Sequence, residues 1–378
     1  MLGTGLIGTL VPLKLKAEGY DDLIIGIIGS LYYLGMFVGS INVIHFLNRI
    51  GASKTFITTG MVLALITFIP GMKLDLYLWA ICRFISGYNL AWIYIIIESW
   101  ILNISGSHNR GKNLAIYMVV LYLGQSLGQL FLRIMDLNSV TPFIVASSLI
   151  LVSVVPVLWI KNSIPTIKVP RTLGFYKLYK ISSSGIMGCV VSGIVLSSIY
   201  SLLPLYFREN GYDATVIATI MALVIAGGVV LQYPLGMISD RVDRRSVLIY
   251  MCIAGIFISL AMIFLSRFEI HDELVIYAAI FAFGGIIFSI YPVSLNHTCD
   301  HIEHRHIVEA TQGMMLAYGI GSAIGPVCIS VVMGEVGPNG IFYSFIFILA
   351  MLSVFMVVRR VKRPGRARVI DSNANSNC

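Results

Sequence analysis

Arg83 and Glu98 are the two formal charges on an otherwise apolar or neutral run from Tyr77 to Leu102. A guanidinium in hydrocarbon costs at least about 3 kcal/mol on insertion scales unless it faces protein or a wet cavity. Arg83 therefore reads as a substrate-binding or proton-coupling cation facing a central cavity, or else as a structural arginine bonded to backbone carbonyls. Glu98 follows fifteen residues later, about 22 Å along a helix rising 1.5 Å per residue, too far for direct pairing. Its place near the inner end of the run suits a latch to Arg49 or Lys54, with a proton-carrying carboxylate and a snorkelling surface acid as alternatives. His297, Cys299, His301, His304 and His306 have metal-like spacing, but they read better as a polar loop, and no metal is expected. Gly319 to Pro326 spaces glycines four apart inside an apolar run, the signature of close helix packing rather than of a phosphate cradle. Gly111-Lys112-Asn113 lacks the hydroxyl of a phosphate loop, so ATP-driven chemistry has no support. Cysteines 82, 189, 252, 299, 328 and 378 show no paired spacing and read as small packing residues.

The elements that must position these residues are membrane helices. The chain is 57% hydrophobic and 12% charged over 378 residues, with mean hydropathy +0.88, more oil than a soluble chain of that length can bury. A membrane span needs about 20 apolar residues. Segments of that kind lie near 2–13, 23–47, 56–72, 77–102, 114–132, 140–160, 183–207, 215–238, 247–265, 274–295, 313–334 and 341–358. They give an all-α membrane protein of twelve helices, the first of them short. Nineteen of the 26 Lys and Arg fall in one set of alternate loops and the tail, against six in the other set, with Arg83 inside a helix. The positive-inside rule then places both termini in the cytoplasm. The net charge of +8 is spread between apolar segments rather than over one face, which argues for topology and against nucleic-acid binding.

An internal repeat organises the helices. Val11-Pro12-Leu13 with Gly19-Tyr20-Asp21 returns as Leu203-Pro204-Leu205 with Gly211-Tyr212-Asp213. Gly35 maps to Gly227, Asn48-Arg49 to Asp240-Arg241, Gly87 to Gly284, and Gly124 and Gly128 to Gly321 and Gly325. Two six-helix bundles follow, residues 1–160 and 183–360, joined by a cytoplasmic loop at 161–182 and followed by a basic, polar tail at 361–378. Equivalent segments run in the same direction, so the bundles are related by an axis along the membrane normal. Residues 183–192 have no counterpart before Met1, which implies a first helix shorter than its partner and a late start or truncation. Gly124, Gly128, Gly321, Gly325 and Pro326 are the expected packing positions.

Gly236-Met237-Ile238-Ser239-Asp240-Arg241-Val242-Asp243-Arg244-Arg245 resembles the signature loop of the major facilitator superfamily, G-x-x-x-D-R-x-G-R-R, with Asp243 where Gly is usual. Asn48-Arg49-Ile50-Gly51 is a weaker first-half copy, with Ile44 in place of the leading Gly. Arg83 to Ala91 is similar to the family's fourth-helix motif. Within the superfamily, Leu231 to Arg245 and Ile97-Glu98-Ser99-Trp100 resemble a bacterial branch, the YcaD-type transport proteins. The resemblance implies that Asn48, Arg49, Gly51, Glu98, Gly236, Asp240, Arg241, Asp243, Arg244 and Arg245 gate the protein at its cytoplasmic face.

The implied activity is secondary active transport of a small organic solute by alternating access, from a multi-pass position in the bacterial inner membrane, by a monomer without cofactors. Arg83 favours an anionic or acceptor-rich polar solute, with proton symport ahead of uniport. Tyr88, Asn89 and Trp92 follow on the same helix, and Gln125, Tyr200, Gln232 and Tyr291 are candidate opposing contacts. Efflux by proton antiport is an alternative, although Gly124-Gln125 and Gly128-Gln129 have Gln where the antiporters' Gly-Pro motif has Pro. A receptor or sensor on the same scaffold is another. An enzyme is not expected, since no paired acids, Ser/His pair or metal set lies within the helices.

Overall fold

The computed structural model describes residues 1–104, 110–137, 139–159, 179–270, 272–302 and 307–362. His304, His306, the side chain of Asn48, most of the 161–182 loop and nearly all of the tail lie outside them. Among the described residues there is no strand. The first half contains α1 (Leu2–Ala17), α2 (Asp22–Ile50), α3 (Ala52–Met72), α4 (Leu76–Ile104), α5 (Arg110–Leu130) and α6 (Thr141–Val154), the last continued by a tighter turn over Val155–Trp159. The second contains α7 (Ser183–Glu209), α8 (Ala214–Arg241), α9 (Arg244–Arg267), α10 (Glu273–Cys299), α11 (Ile307–Val336) and α12 (Gly340–Lys362). Ten of these are long and apolar enough to cross a membrane. The other two are α1, which has 16 residues, and α5, whose C-terminal half carries Gln125, Ser126 and Gln129.

The repeated Gly-Tyr-Asp marks the same turn in both halves. Gly19 and Gly211 adopt φ +84° and +85°, where a side chain would cost roughly 1–2 kcal/mol. Asp21 and Asp213 then stand at the N-caps of α2 and α8, and the Asp213 carboxylate accepts the Val216 amide at 2.8 Å.

Packing repeats as well. In the first half α1 lies on α5 and α6, α2 on α4, and α3 on α4 and α6. In the second half α7 lies on α11 and α12, α8 on α10, and α9 on α10 and α12. The repeated glycines set the closest of these approaches. Gly35 and Gly87 each face a backbone carbonyl across the α2–α4 contact, those of Phe84 and Tyr32, and Gly227 and Gly284 do the same across α8–α10, facing Phe281 and Val224. Any Cβ there would collide with backbone, so these helices approach as only glycine allows. Gly128 meets Leu2 of α1 in this way, Gly321 and Gly325 meet Val190 and Ile194 of α7, and Gly124 lies against the Met1 side chain. Between the halves, α2 packs on α11 and α7, α5 on α8, and α1 on α7. Pro326 belongs to that interface, its side chain lying beside Gly29 of α2.

Candidate functional site

A cavity of about 270 Å³ lies between the two halves, lined by α1 to α6 on one side and by α7, α10 and α11 on the other. Five residues of α4 line it: Arg83, Ser86, Leu90, Tyr94 and Glu98. Their spacing of three or four residues is one stripe of a helix. Arg83 sits over the Tyr32 ring, 4.4 Å from its centroid, and among the described residues its buried Nε has no hydrogen-bond partner. This cation–π contact offsets part of the desolvation of the guanidinium and leaves a donor edge unsatisfied.

Glu98 lines the same cavity. Among the described residues it forms no ion pair with Arg49, which is exposed, or with Lys54. Gln129 is 0% exposed, lines the cavity, and leaves both its amide nitrogen and oxygen without partners among the described residues. Gln125 also lines it and donates to the Tyr94 hydroxyl at 3.4 Å. Tyr32, Tyr33, Tyr94, Tyr122, Tyr200 and Tyr318 surround these groups. The wall thus holds one cation, one carboxylate, two amides and six phenols.

Of the expected solute contacts, Arg83, Gln125 and Tyr200 come together in this cavity. Tyr88, Asn89 and Trp92 lie on another face of α4. The Trp92 indole donates to the Gly39 carbonyl of α2 at 2.9 Å, Tyr88 packs on Trp92, and the Asn89 amide donates to the Ile85 carbonyl of its own helix. Trp92, with Tyr88 packed on it, fastens α4 to α2, while Asn89 bonds back to its own helix. Tyr291 stands behind the wall, edge-on to Tyr318 at 5.3 Å, and Gln232 is half-buried on α8 outside the lining. Tyr32, Tyr33 and Gln129 were not anticipated. The stripe through residues 83, 86, 90, 94 and 98 was available to identify the cavity face of α4, whereas nothing in the local pattern marks the α2 tyrosines.

The arginine-rich loop is built within the second half. Arg244 reaches Asp240 of α8 at 3.0 Å and Asp300, just past α10, at 2.7 Å. The Arg245 Nε donates to the His297 Nε2 at 3.2 Å, and its Nη1 donates to the Arg359 carbonyl of α12 at 3.5 Å. These bonds tie the α8–α9 loop to α10 and α12. Asp243, which replaces the usual glycine, caps α9 by accepting the Ser246 amide at 3.0 Å and hydroxyl at 2.8 Å. Arg241 is exposed, and a methyl at Gly236 would meet nothing within 4 Å. In the first half Gly51 turns α2 into α3 at φ +84°. His297 spends its Nε2 lone pair on Arg245, and among the described residues no cluster of His, Cys, Asp and Glu could hold a metal ion.

Polar bridges between the halves sit toward the face opposite this loop. Lys16, at the end of α1, pairs with Asp22 at the start of α2 at 2.7 Å and with Glu209 at the end of α7. The Ser126 hydroxyl of α5 donates to the Ala222 carbonyl of α8 at 3.0 Å.

Two similarly packed sets of helices around a largely apolar cavity that holds a few polar groups suit a membrane transport protein, and the sequence comparison agrees. The model of the Major Facilitator Superfamily matches residues 1–311, and the chain belongs to that family. It is a multi-pass membrane protein of a transporter family. Among its relatives are the uncharacterized MFS-type transporters YcaD of Salmonella newport (strain SL254) and Escherichia fergusonii, each 30% identical over 360 residues, covering 93% of this chain and 92% of theirs. Similar solved structures include a mutant of the nucleoside transporter NupG, with TM-score 0.78, 12% identity, and 94% of this chain and 96% of that one covered. A D-xylose-proton symporter gives TM-score 0.75, 13% identity and 94% of both chains. At such identities these two structures speak for the fold alone.

Proposed function

We propose that the chain is a secondary active transporter that moves a small anionic or acceptor-rich organic solute by alternating access, with Arg83 as the anion-binding group. The observation carrying this reading is the Arg83 guanidinium at a cavity between the two halves, with its Nε unpaired. A carboxylate presents two acceptors that match a guanidinium fork, and pairing there satisfies a donor that the protein leaves open. Glu98, in the same cavity and without an ionic partner among the described residues, is the proton-binding group of a symporter in this reading, in place of a latch to Arg49 or Lys54. The proposed topology keeps both termini and the arginine-rich loop in the cytoplasm of a bacterial cell, with two bundles at 1–160 and 183–360. Lys16 and Glu209 then bridge the two halves at the periplasmic face. D-xylose-proton symport by a protein of like fold is consistent with proton coupling here.

The test is counterflow in proteoliposomes preloaded in turn with members of a panel of organic acids, sugars and lipophilic cations. Exchange of acids by the wild type, with loss of most exchange in a normally folded Arg83→Lys variant, is the expected result. A panel in which only hydrophobic cations exchange would remove Arg83 from the role proposed.

A further inference from the structure

Beside the Arg83 site the cavity carries an aromatic wall that an anion alone would not use. Phe288 of α10 stands edge-on to Tyr122 of α5 at 5.5 Å and to Tyr200 of α7 at 6.4 Å, and all three rings line the cavity. Tyr318 of α11 lines it as well. Three of the four rings belong to the second half, whereas Arg83 and the Tyr32 ring beneath it belong to the first. Ring edges and faces set at these angles accept a further ring in offset or edge-to-face contact. At about 270 Å³ the cavity is just below the roughly 300–1,000 Å³ of drug-sized sites, room for a compact solute with one or two rings.

Building on the reading of Arg83 as an anion site, we propose that the solute is an aromatic carboxylate, held at its carboxylate by Arg83 and at its ring by Phe288, Tyr200 and Tyr122. Such a solute runs from Arg83 of the first half to a ring wall built mainly by the second, with Tyr122 as its one first-half ring. An aliphatic acid of the same charge and size offers these rings no π face, and a neutral arene engages only the ring wall. The unpaired amide of Gln129 supplies a further polar contact for ring substituents that donate or accept hydrogen bonds.

Equilibrium binding to the purified full-length protein in nanodiscs, using benzoate, cyclohexanecarboxylate and benzamide as probes, separates the two halves of the claim. Benzoate should bind on the order of tenfold more tightly than cyclohexanecarboxylate, which has the same charge and nearly the same size but no π face. Benzamide should bind more weakly than either acid. Phe288→Leu, which keeps an apolar side chain in place, should erase most of the preference for benzoate over cyclohexanecarboxylate while both acids still bind. Arg83→Lys should weaken both acids and leave benzamide unchanged, with wild-type melting as the check on folding. Equal affinity for the two acids in the wild type overturns the ring wall and leaves Arg83 as an anion site. Equal affinity for benzoate and benzamide overturns the Arg83 reading itself, and absence of binding by all three overturns the proposal.

Discussion

Arg83 and Glu98 stand out in the sequence because a charge inside a membrane helix is costly and needs a wet or polar partner. That argument identifies the residues, and it says nothing about which neighbours share their face. Tyr88, Asn89 and Trp92 have suitable chemistry and follow Arg83 closely, yet 100° per residue carries them off the stripe at 83, 86, 90, 94 and 98, Trp92 bonding to α2 and Asn89 to its own helix. Gln129 could be found only from the fold, since its significance lies in two amide atoms left without partners. Two predictions belong here. Arg83→Lys should reduce uptake at least about tenfold, since an ammonium cannot reproduce bidentate geometry, as initial rates of labelled solute will report. Glu98→Gln should abolish uptake driven by a proton gradient while retaining counterflow, which needs no net proton movement. Equal loss of both activities would make Glu98 structural.

At the scale of elements, the arginine-rich loop shows what a motif does and does not disclose. Its residue types were legible, as was its place between α8 and α9. Its partners were not, because Asp300, His297 and the Arg359 carbonyl come from distant parts of the chain. Arg244 is the centre of the arrangement: its side chain is 10% exposed, while that of Asp240 is 63% exposed. Asp240→Asn should therefore cost at most about 1 kcal/mol, whereas Arg244→Ala, which removes the partner of Asp300 from a largely buried site, should cost more, up to about 3 kcal/mol. Asp243 offers a finer comparison. Replacing this N-cap by Ala should cost about 1 kcal/mol, and replacing it by the family's Gly only a few tenths. Thermal unfolding in detergent would rank the four variants, and an Asp243→Ala protein as stable as wild type would contradict the capping role.

At the scale of the whole molecule, duplication was the most legible feature, because it leaves glycines and turns at fixed offsets. Gly35 with Gly87, and Gly227 with Gly284, turned out to be the contacts that bring α2 to α4 and α8 to α10. The ion triad between the halves was invisible, since Lys16, Asp22 and Glu209 are ordinary loop-end charges until α1, α2 and α7 meet. If this triad holds the periplasmic face closed, Lys16→Glu and Glu209→Lys should each lengthen spin-label distances across that face. The double exchange should restore the wild-type distribution, and unchanged distances in both single variants would reduce the triad to a surface pair.

The claim that the halves must part at this face for a solute to cross can be tested by locking it. In a Lys16→Cys/Glu209→Cys protein, with Cys299, Cys328 and Cys378 replaced by serine, a cleavable bismaleimide would join α1 to α7 across the two halves. Counterflow should stop on cross-linking and return on cleavage, while solute binding from the opposite face persists throughout. Counterflow at an unchanged rate in fully cross-linked protein would contradict alternating access around this cavity.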